Sequence, residues 1–109
     1  WQYGLHLFNN GYFWEAHEVW EAVWMLAPQN SRERVLLQGV IHLANAALKR
    51  KMDRPTATVR LIDLANGCFR EAFPAEGQRQ LMGLTQTELA LCSAQCHPEC
   101  SRSPTLTAR

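Results

Sequence analysis

The sequence lacks a long apolar run. A helix needs roughly 20 consecutive apolar residues to cross a bilayer, and even the stretch VIHLANAAL, residues 40–48, is interrupted by a His and an Asn. The sequence also lacks a sustained alternation of apolar and polar residues, which is the pattern of a half-buried strand. We therefore expect no membrane span and an all-helical fold.

A strong charge of either sign is also absent. Eleven Lys and Arg residues oppose ten Asp and Glu residues, so the formal net charge of the 109 residues is +1. A charge this small gives no reason to expect non-specific attraction to phosphate backbones or anionic membranes. The length suits one domain with a single core. We expect that domain to cover residues 1–100.

The four cysteines are poorly placed for disulfides. Cys92, Cys96 and Cys100 follow one another at intervals of four residues, and Cys68 stands alone. Residues four apart on a helix form a disulfide only with difficulty, and a stapled secreted domain spaces its cysteines differently. A reducing, cytoplasmic setting is the simplest interpretation. Cys96, His97 and Cys100 resemble a fragment of a zinc site, but ordinary free thiols are the preferred interpretation.

Glycine, proline and asparagine divide the sequence into five helical segments. The predicted helices cover about Gln2–Asn9, Tyr12–Leu26, a third from a capping pair at Asn30 and Glu33 to Met52, Arg54–Phe73 and Glu76–Cys96. Residues 101–109 are polar and are predicted to form a flexible tail. The whole is predicted to be a compact bundle of four to five helices around an antiparallel helical hairpin, formed by the second and third helices.

The second helix carries the motif EAHEVWEA, residues 15–22. At about 100° of rotation per residue, His17 and Glu21 lie one turn apart on one border of the apolar arc, with Glu18 nearer to solvent. Glu15 lies on the opposite border, where it cannot easily share a site with His17. Trp14 points away from the core and is a candidate for an interface.

A second polar row lies on the third helix. Gln38, His42 and Asn45 recur at helical spacing beside the small residue Gly39, which allows another helix or a ligand to approach closely. Because a short connection joins the second and third helices, we expect this row to face His17 and Glu21. The candidate polar pocket therefore consists of His17, Glu18, Glu21, Gln38, His42 and Asn45.

Three interpretations of this seam remain open. In the first, the polar groups satisfy one another and only set the helix register. In the second, His17 and Glu21 bind a divalent metal, because a His and a carboxylate one turn apart match the spacing of zinc-binding helices. Glu18 would then be the base and His42 the third ligand. The third interpretation is a metal-free acid–base site.

A basic cluster closes the third helix. Lys49, Arg50 and Lys51 are followed by Arg54, and such a cluster is a candidate contact for nucleic acid. Cations at the C-terminus of a helix also complement its dipole, which is the commoner explanation. Nucleic-acid binding therefore ranks last among the hypotheses.

The stretch LFNNGYFWEAHEVWEAVW followed by LLQGVIHLANAAL resembles the family of domain of unknown function 309, over about residues 5–70. The residues that carry the resemblance are Phe13, Trp14, Glu15, Ala16, His17, Glu18, Glu21 and Trp24, then Leu37, Gln38 and Gly39. The resemblance implies a small helical bundle. It supplies no established activity, substrate or cofactor.

These observations predict a small cytoplasmic helical domain with a polar His/Glu/Gln pocket that binds a small ligand or a divalent cation. The alternative is a non-catalytic interaction module, which includes a homo-oligomer, where the polar cluster is structural and Trp14 contacts the partner. The sequence does not decide between an enzyme and a binding protein.

Overall fold

The computed structural model describes residues 1–74 and 80–108. Its helices are α1 Gln2–Asn9, α2 Phe13–Leu26, α3 Arg32–Lys51, α4 Pro55–Ala72 and α5 Gln86–Gln95. The all-helical bundle that the sequence predicts is confirmed, and within the described ranges the only β feature is an isolated bridge between Leu81 and Leu84. Each of these helices is too short or too polar to cross a bilayer.

The connections between the first four helices follow the turn residues of the sequence. Gly11 adopts a φ of 84° between α1 and α2, and Asp53 adopts a φ of 56° between α3 and α4. Pro55 then opens α4 in its first turn, where a missing N–H leaves no carbonyl unpaired. These ends agree with the predicted ones to within one residue.

The start of α3 differs from the prediction. The cap is Ser31 rather than Asn30, since the Ser31 hydroxyl accepts a 3.2 Å hydrogen bond from the backbone N–H of Arg34. Asn30 instead adopts a left-handed φ of 63° in the preceding turn. Ser and Asn both favour helix caps and turns. Here Ser31 caps the helix and Asn30 forms the turn.

The predicted fifth helix is too long. Glu76 and the three residues after it lie outside the described residues, whereas residues 80–85 form a turn closed by the Leu81–Leu84 bridge. Thr85 caps α5 by accepting from the backbone N–H of Glu88 at 3.1 Å, and its hydroxyl donates back to the Glu88 carboxylate. This Thr-x-x-Glu capping box is the signal that ends the turn.

The centre of the bundle is α3, which packs against α4 on one side and α2 on the other. Six side chains along its inner face are completely buried: Leu36, Val40, Leu43, Ala44, Ala46 and Ala47. Gly39 sets the closest approach to α4, because a Cβ atom at this position would lie 2.5 Å from Cε1 of Phe69 and 3.1 Å from Cβ of Cys68. Glycine is therefore required here by space rather than by backbone conformation.

The C-terminal segment packs on the bundle where the sequence predicts a flexible tail. Leu106 is 2% exposed, and Pro104 is also buried. The side-chain amide of Asn9 donates to the carbonyl oxygen of Leu106 at 2.7 Å and accepts from its N–H at 2.7 Å. The buried Pro104 and Leu106 and the hydrogen bonds of Asn9 attach this segment to the bundle. The polar composition of the segment does not reveal such a long-range contact.

Gly39→Ala tests the close approach of α3 and α4. The added methyl group must displace the buried Phe69 ring, so we expect the free energy of unfolding to fall by about 1–3 kcal/mol. Gly67→Ala on α4 is the matched control, because its Cβ would meet only the Arg70 guanidinium at 3.9 Å and alanine favours a helix by up to about 1 kcal/mol. Urea denaturation measures both variants, and equal stabilities for the two would contradict this packing.

Candidate functional site

Trp20 fixes the rotation of α2 about its axis. Its side chain is fully buried, its Nε1–H donates a 3.3 Å hydrogen bond to the carbonyl oxygen of Trp1, and its ring centroid lies 5.7 Å from that of Trp1 and 5.6 Å from that of Phe8. The indole can lie this close to α1 because residue 4 is Gly4, where a Cβ atom would overlap the ring. Because the Trp20 side of α2 faces the core, the polar residues of the EAHEVWEA motif lie at the border of the core or face solvent.

His17, Glu18 and Glu21 meet at that border, and we call these three residues the acidic edge. His17 Nε2 lies 2.8 Å from Glu21 Oε2, and His17 Nδ1 lies 3.4 Å from Glu18 Oε1. The imidazole side chain is 19% exposed, while the carboxylate side chains are 52% and 51% exposed. Pairs this open to water contribute about 0.3–0.5 kcal/mol each, so the acidic edge orients His17 more than it stabilises the fold.

His17 Nδ1 remains without a hydrogen bond. The atom is shielded from solvent, and its approach to Glu18 does not have hydrogen-bond geometry. A shielded ring nitrogen without a hydrogen bond is uncommon in folded proteins. The acidic edge therefore keeps unused capacity for a hydrogen bond or a ligand.

Gln38 is exposed. It lines a polar cavity of about 440 Å³ with Arg34 and Glu71 at the turn between α2 and α3. Asn45 is half-buried. No hydrogen bond among residues 1–74 and 80–108 joins the acidic edge to either amide, so their convergence with His17 in one pocket stays a prediction.

His42 belongs to the neighbourhood of α4. Its ring is half-buried, with Nδ1 shielded from solvent and without a hydrogen bond. Burial, together with the positive charge of Arg60, lowers the pKa of His42. Both causes favour the neutral ring and oppose a further positive charge at this position.

The three-ligand metal site of the sequence hypothesis is not formed. Within the part of the chain that the structure describes, no group of three His, Cys, Asp or Glu side chains is arranged to hold a metal ion. His42 therefore does not join His17 and Glu21 as a third ligand. A cation at the acidic edge would have only groups of α2 to bind it.

The cysteines of the C-terminal region are free thiols. A hydrogen bond to Cys96 and burial raise the pKa of the Cys92 thiol well above its ordinary value, and the Cys96 sulfur lies 3.9 Å from the carbonyl oxygen of Leu43. His97 is exposed and accepts from the N–H of Glu99 at 3.2 Å. Over residues 1–74 and 80–108 no group of three metal-ligating side chains is arranged around an ion site, and the Cys/His fragment is included in that range.

Two of the four basic residues proposed to contact nucleic acid are engaged within the chain. Arg50 donates to the carbonyl oxygens of Cys100 at 3.2 Å and of Arg102 at 2.8 Å. Lys51 donates to the carbonyl oxygen of Gly11 at 3.4 Å. These cations attach the C-terminal segment and the α1–α2 turn to the end of α3.

Arg34 is a site residue that sequence reasoning missed. Its guanidinium carbon lies 3.9 Å from the centroid of the Trp24 ring, and Nη1 donates to the carbonyl oxygens of Trp24 at 2.9 Å and of Ala27 at 3.0 Å. A helix end interrupted by Pro28 needs donors for its last carbonyls, which is the signal that could have identified an arginine partner.

The remaining motif residues have structural or solvent-facing positions. Phe13 is buried and packs edge-on against Phe8 at 5.2 Å between centroids. Glu15 is exposed, and no ion pair connects it with His17 in the described part of the chain. Both observations agree with their predicted positions on α2.

The outer face of α2 combines exposed apolar groups with the carboxylates. Trp14 is 56% exposed and Met25 is 68% exposed, and helical spacing places both on the same side as Glu18 and Glu21. We call these four residues the outer face of α2. Large apolar side chains beside charged groups at a surface are typical of binding sites for other proteins.

Residues 1–61 match the model of the family described as Domain of unknown function (DUF309). No curated protein and no solved structure matches the chain. The match covers α1 to α3 and the start of α4, and thus the whole acidic edge and the outer face of α2.

His42→Gln tests the neutral histidine. Because the folded pKa of His42 is lowered, its contribution to stability is complete above the unfolded pKa of about 6.5 and is lost as the pH falls through the folded pKa. The variant should therefore lose less stability than the original chain between about pH 7.5 and 5.5. Urea denaturation at both pH values measures the difference.

His6→Gln is the matched control for this pH dependence, because it removes an exposed histidine from α1. The control should retain the pH dependence of the original chain. An unchanged pH dependence in His42→Gln would contradict the assignment of His42 as the neutral, partly buried histidine.

Proposed function

The chain belongs to the family described as domain of unknown function (DUF309), and we propose that it is a helical interaction module whose outer α2 face binds a basic amphipathic helix of another protein. The observation that carries this proposal is the composition of that face. Trp14 and Met25 offer exposed apolar surface beside Glu18 and Glu21. Amphipathic helices bind such faces through apolar anchors that recur every three to four residues.

The negative charge of α2 favours a positively charged partner. α2 contains Glu15, Glu18 and Glu21 and neither Lys nor Arg, and in the described ranges no Lys or Arg side chain forms an ion pair with these carboxylates. A partner helix with Lys or Arg beside its apolar residues would supply the missing cations and would be steered to the face.

A second copy of this chain is a poorer partner for the same face. A symmetric pairing of α2 with α2 would bring the same surface patch of each protomer together, and thus Glu18 and Glu21 of both copies. Like charges at close range oppose such a contact. The homo-oligomer alternative therefore becomes an outcome of the binding experiment.

The expected result is selective binding of a basic peptide. A helical peptide with Leu and Lys at amphipathic spacing should bind, whereas its twin with Glu in place of Lys should bind at least about tenfold more weakly. Trp14→Ala should weaken binding of the Lys peptide by about tenfold or more, because an exposed Trp is a typical anchor. Isothermal titration calorimetry measures each of these dissociation constants.

Leu91→Ala is the matched control. Leu91 lies on α5, and its exposed fraction of 61% is similar to the 56% of Trp14. It should leave the affinity for the Lys peptide unchanged. Equal affinity for both peptides would overturn the proposal. So would a peptide-free dimer, detected by light scattering, that Trp14→Ala dissociates, because the face would then receive a second copy.

A divalent cation at the acidic edge is the second candidate function. The 2.8 Å separation of His17 Nε2 and Glu21 Oε2 allows one ion to contact both at the usual distances of about 2.0–2.2 Å. Water or a bound partner would complete the coordination. The chemistry of an imidazole beside carboxylates suits Zn²⁺ better than Mg²⁺.

Zinc titration tests this candidate. Zn²⁺ should raise the melting temperature of the original chain and of His6→Gln, and chelator should reverse the increase. His17→Gln should abolish the increase, because the edge then keeps only carboxylates. An increase that persists in His17→Gln would place the ion elsewhere, and no increase in the original chain would remove the candidate.

A further inference from the structure

A groove between α4 and α5 lies outside everything that the family match covers. Its volume is about 380 Å³, within the usual range of small-molecule sites. The apolar part is formed by Ile62 and Phe69 from α4 and by Ala90 and Ala94 from α5. All of its lining residues come after residue 61, the last residue of the match. A ligand here would be a property of this chain rather than of the matched region.

One hydrogen bond orients an amide at this groove. Ser93 is 4% exposed, and its hydroxyl donates to Oδ1 of Asn66 at 2.8 Å. Because the oxygen of the amide is used in this bond, the NH₂ group is its free end. Asn66 therefore presents hydrogen-bond donors to a ligand.

Two further donors come from the ends of the two helices. His97 Nδ1 accepts from the backbone N–H of Glu99 at 3.2 Å, so the proton of the neutral ring is on Nε2. Arg70 is exposed in the last turn of α4, and one guanidinium nitrogen lies 3.9 Å from the Cβ position of Gly67. The guanidinium therefore lies back along its own helix, toward the preceding turn.

We propose that this groove binds a small carboxylate that carries an apolar body. Asn66, Arg70 and His97 supply donors, and Phe69 and its apolar neighbours supply the contact for a hydrocarbon or aromatic group. Among residues 1–74 and 80–108, no Asp or Glu lines the groove. A guanidinium pairs with a planar carboxylate through two parallel hydrogen bonds. One arginine matches a single negative charge, and the volume admits a molecule of the size of a bicyclic aromatic acid.

Naphthoate and its neutral counterpart test the proposal. 1-Naphthoate should bind at least about tenfold more tightly than 1-naphthalenemethanol, which has the same rings and no charge. Arg70→Gln should remove most of this difference by weakening the binding of naphthoate about tenfold, while the affinity for the alcohol stays the same. Titration calorimetry gives the affinities, and the side-chain NH₂ signals of Asn66 should shift in NMR spectra.

Two more variants complete the experiment. Arg60→Gln removes an exposed arginine of the same helix outside the groove and should leave the affinity for naphthoate unchanged. Ala90→Leu fills the groove at an exposed position and should abolish binding of both compounds, with circular dichroism as the control for folding.

Three results would overturn the proposal: equal affinity for the acid and the alcohol, an effect of Arg60→Gln as large as that of Arg70→Gln, or full binding in Ala90→Leu. Variants of the outer face of α2 should not alter naphthoate binding. The groove and the proposed interaction face therefore succeed or fail separately.

Discussion

The burial of Trp20 determines where every candidate group of α2 lies. The indole is enclosed by the Trp1 and Phe8 rings and lies against Gly4, which alone leaves room for it. Because a helix is rigid about its axis, one anchored side chain decides the direction of all the others. His17 is thereby placed at the border of the core, and the carboxylates beside it extend into water. The acidic edge is a consequence of packing on the opposite side of the same helix.

Three arginine side chains donate hydrogen bonds to backbone carbonyl oxygens at or after the ends of helices. Arg34 donates to the last carbonyl oxygens of α2, Arg50 to those that follow α5, and Arg32 to the carbonyl oxygen of Ala72 at the end of α4 at 2.7 Å. Helix C-termini leave such carbonyls without partners. Part of the positive charge is thus used inside the fold, whereas the carboxylates of α2 remain available. This asymmetry supports the proposal of a basic partner rather than nucleic acid.

Local patterns predicted the helices well and the long-range contacts poorly. Gly11 and Pro55 mark helix ends by their own backbone constraints, so these boundaries could be read from sequence. The pairing of Asn9 with Leu106 spans 97 residues, and no local signal contains it. The acidic edge followed from helical spacing alone, because its members lie on one helix. The pocket shared with Gln38 depends on the relative rotation of two helices, which periodicity does not supply, and it stays a prediction.

The central claim is that packing of Trp20 directs the acidic edge outward, so that it acts independently of the amides on α3. A double-mutant cycle between His17→Ala and Gln38→Ala, with unfolding free energies from urea denaturation, tests this most directly. We expect a coupling energy near zero for this pair, beside about 0.3–0.5 kcal/mol for His17 with Glu21. A coupling of about 1 kcal/mol or more between His17 and Gln38 would contradict the claim, because residues that share one polar network are coupled to this extent.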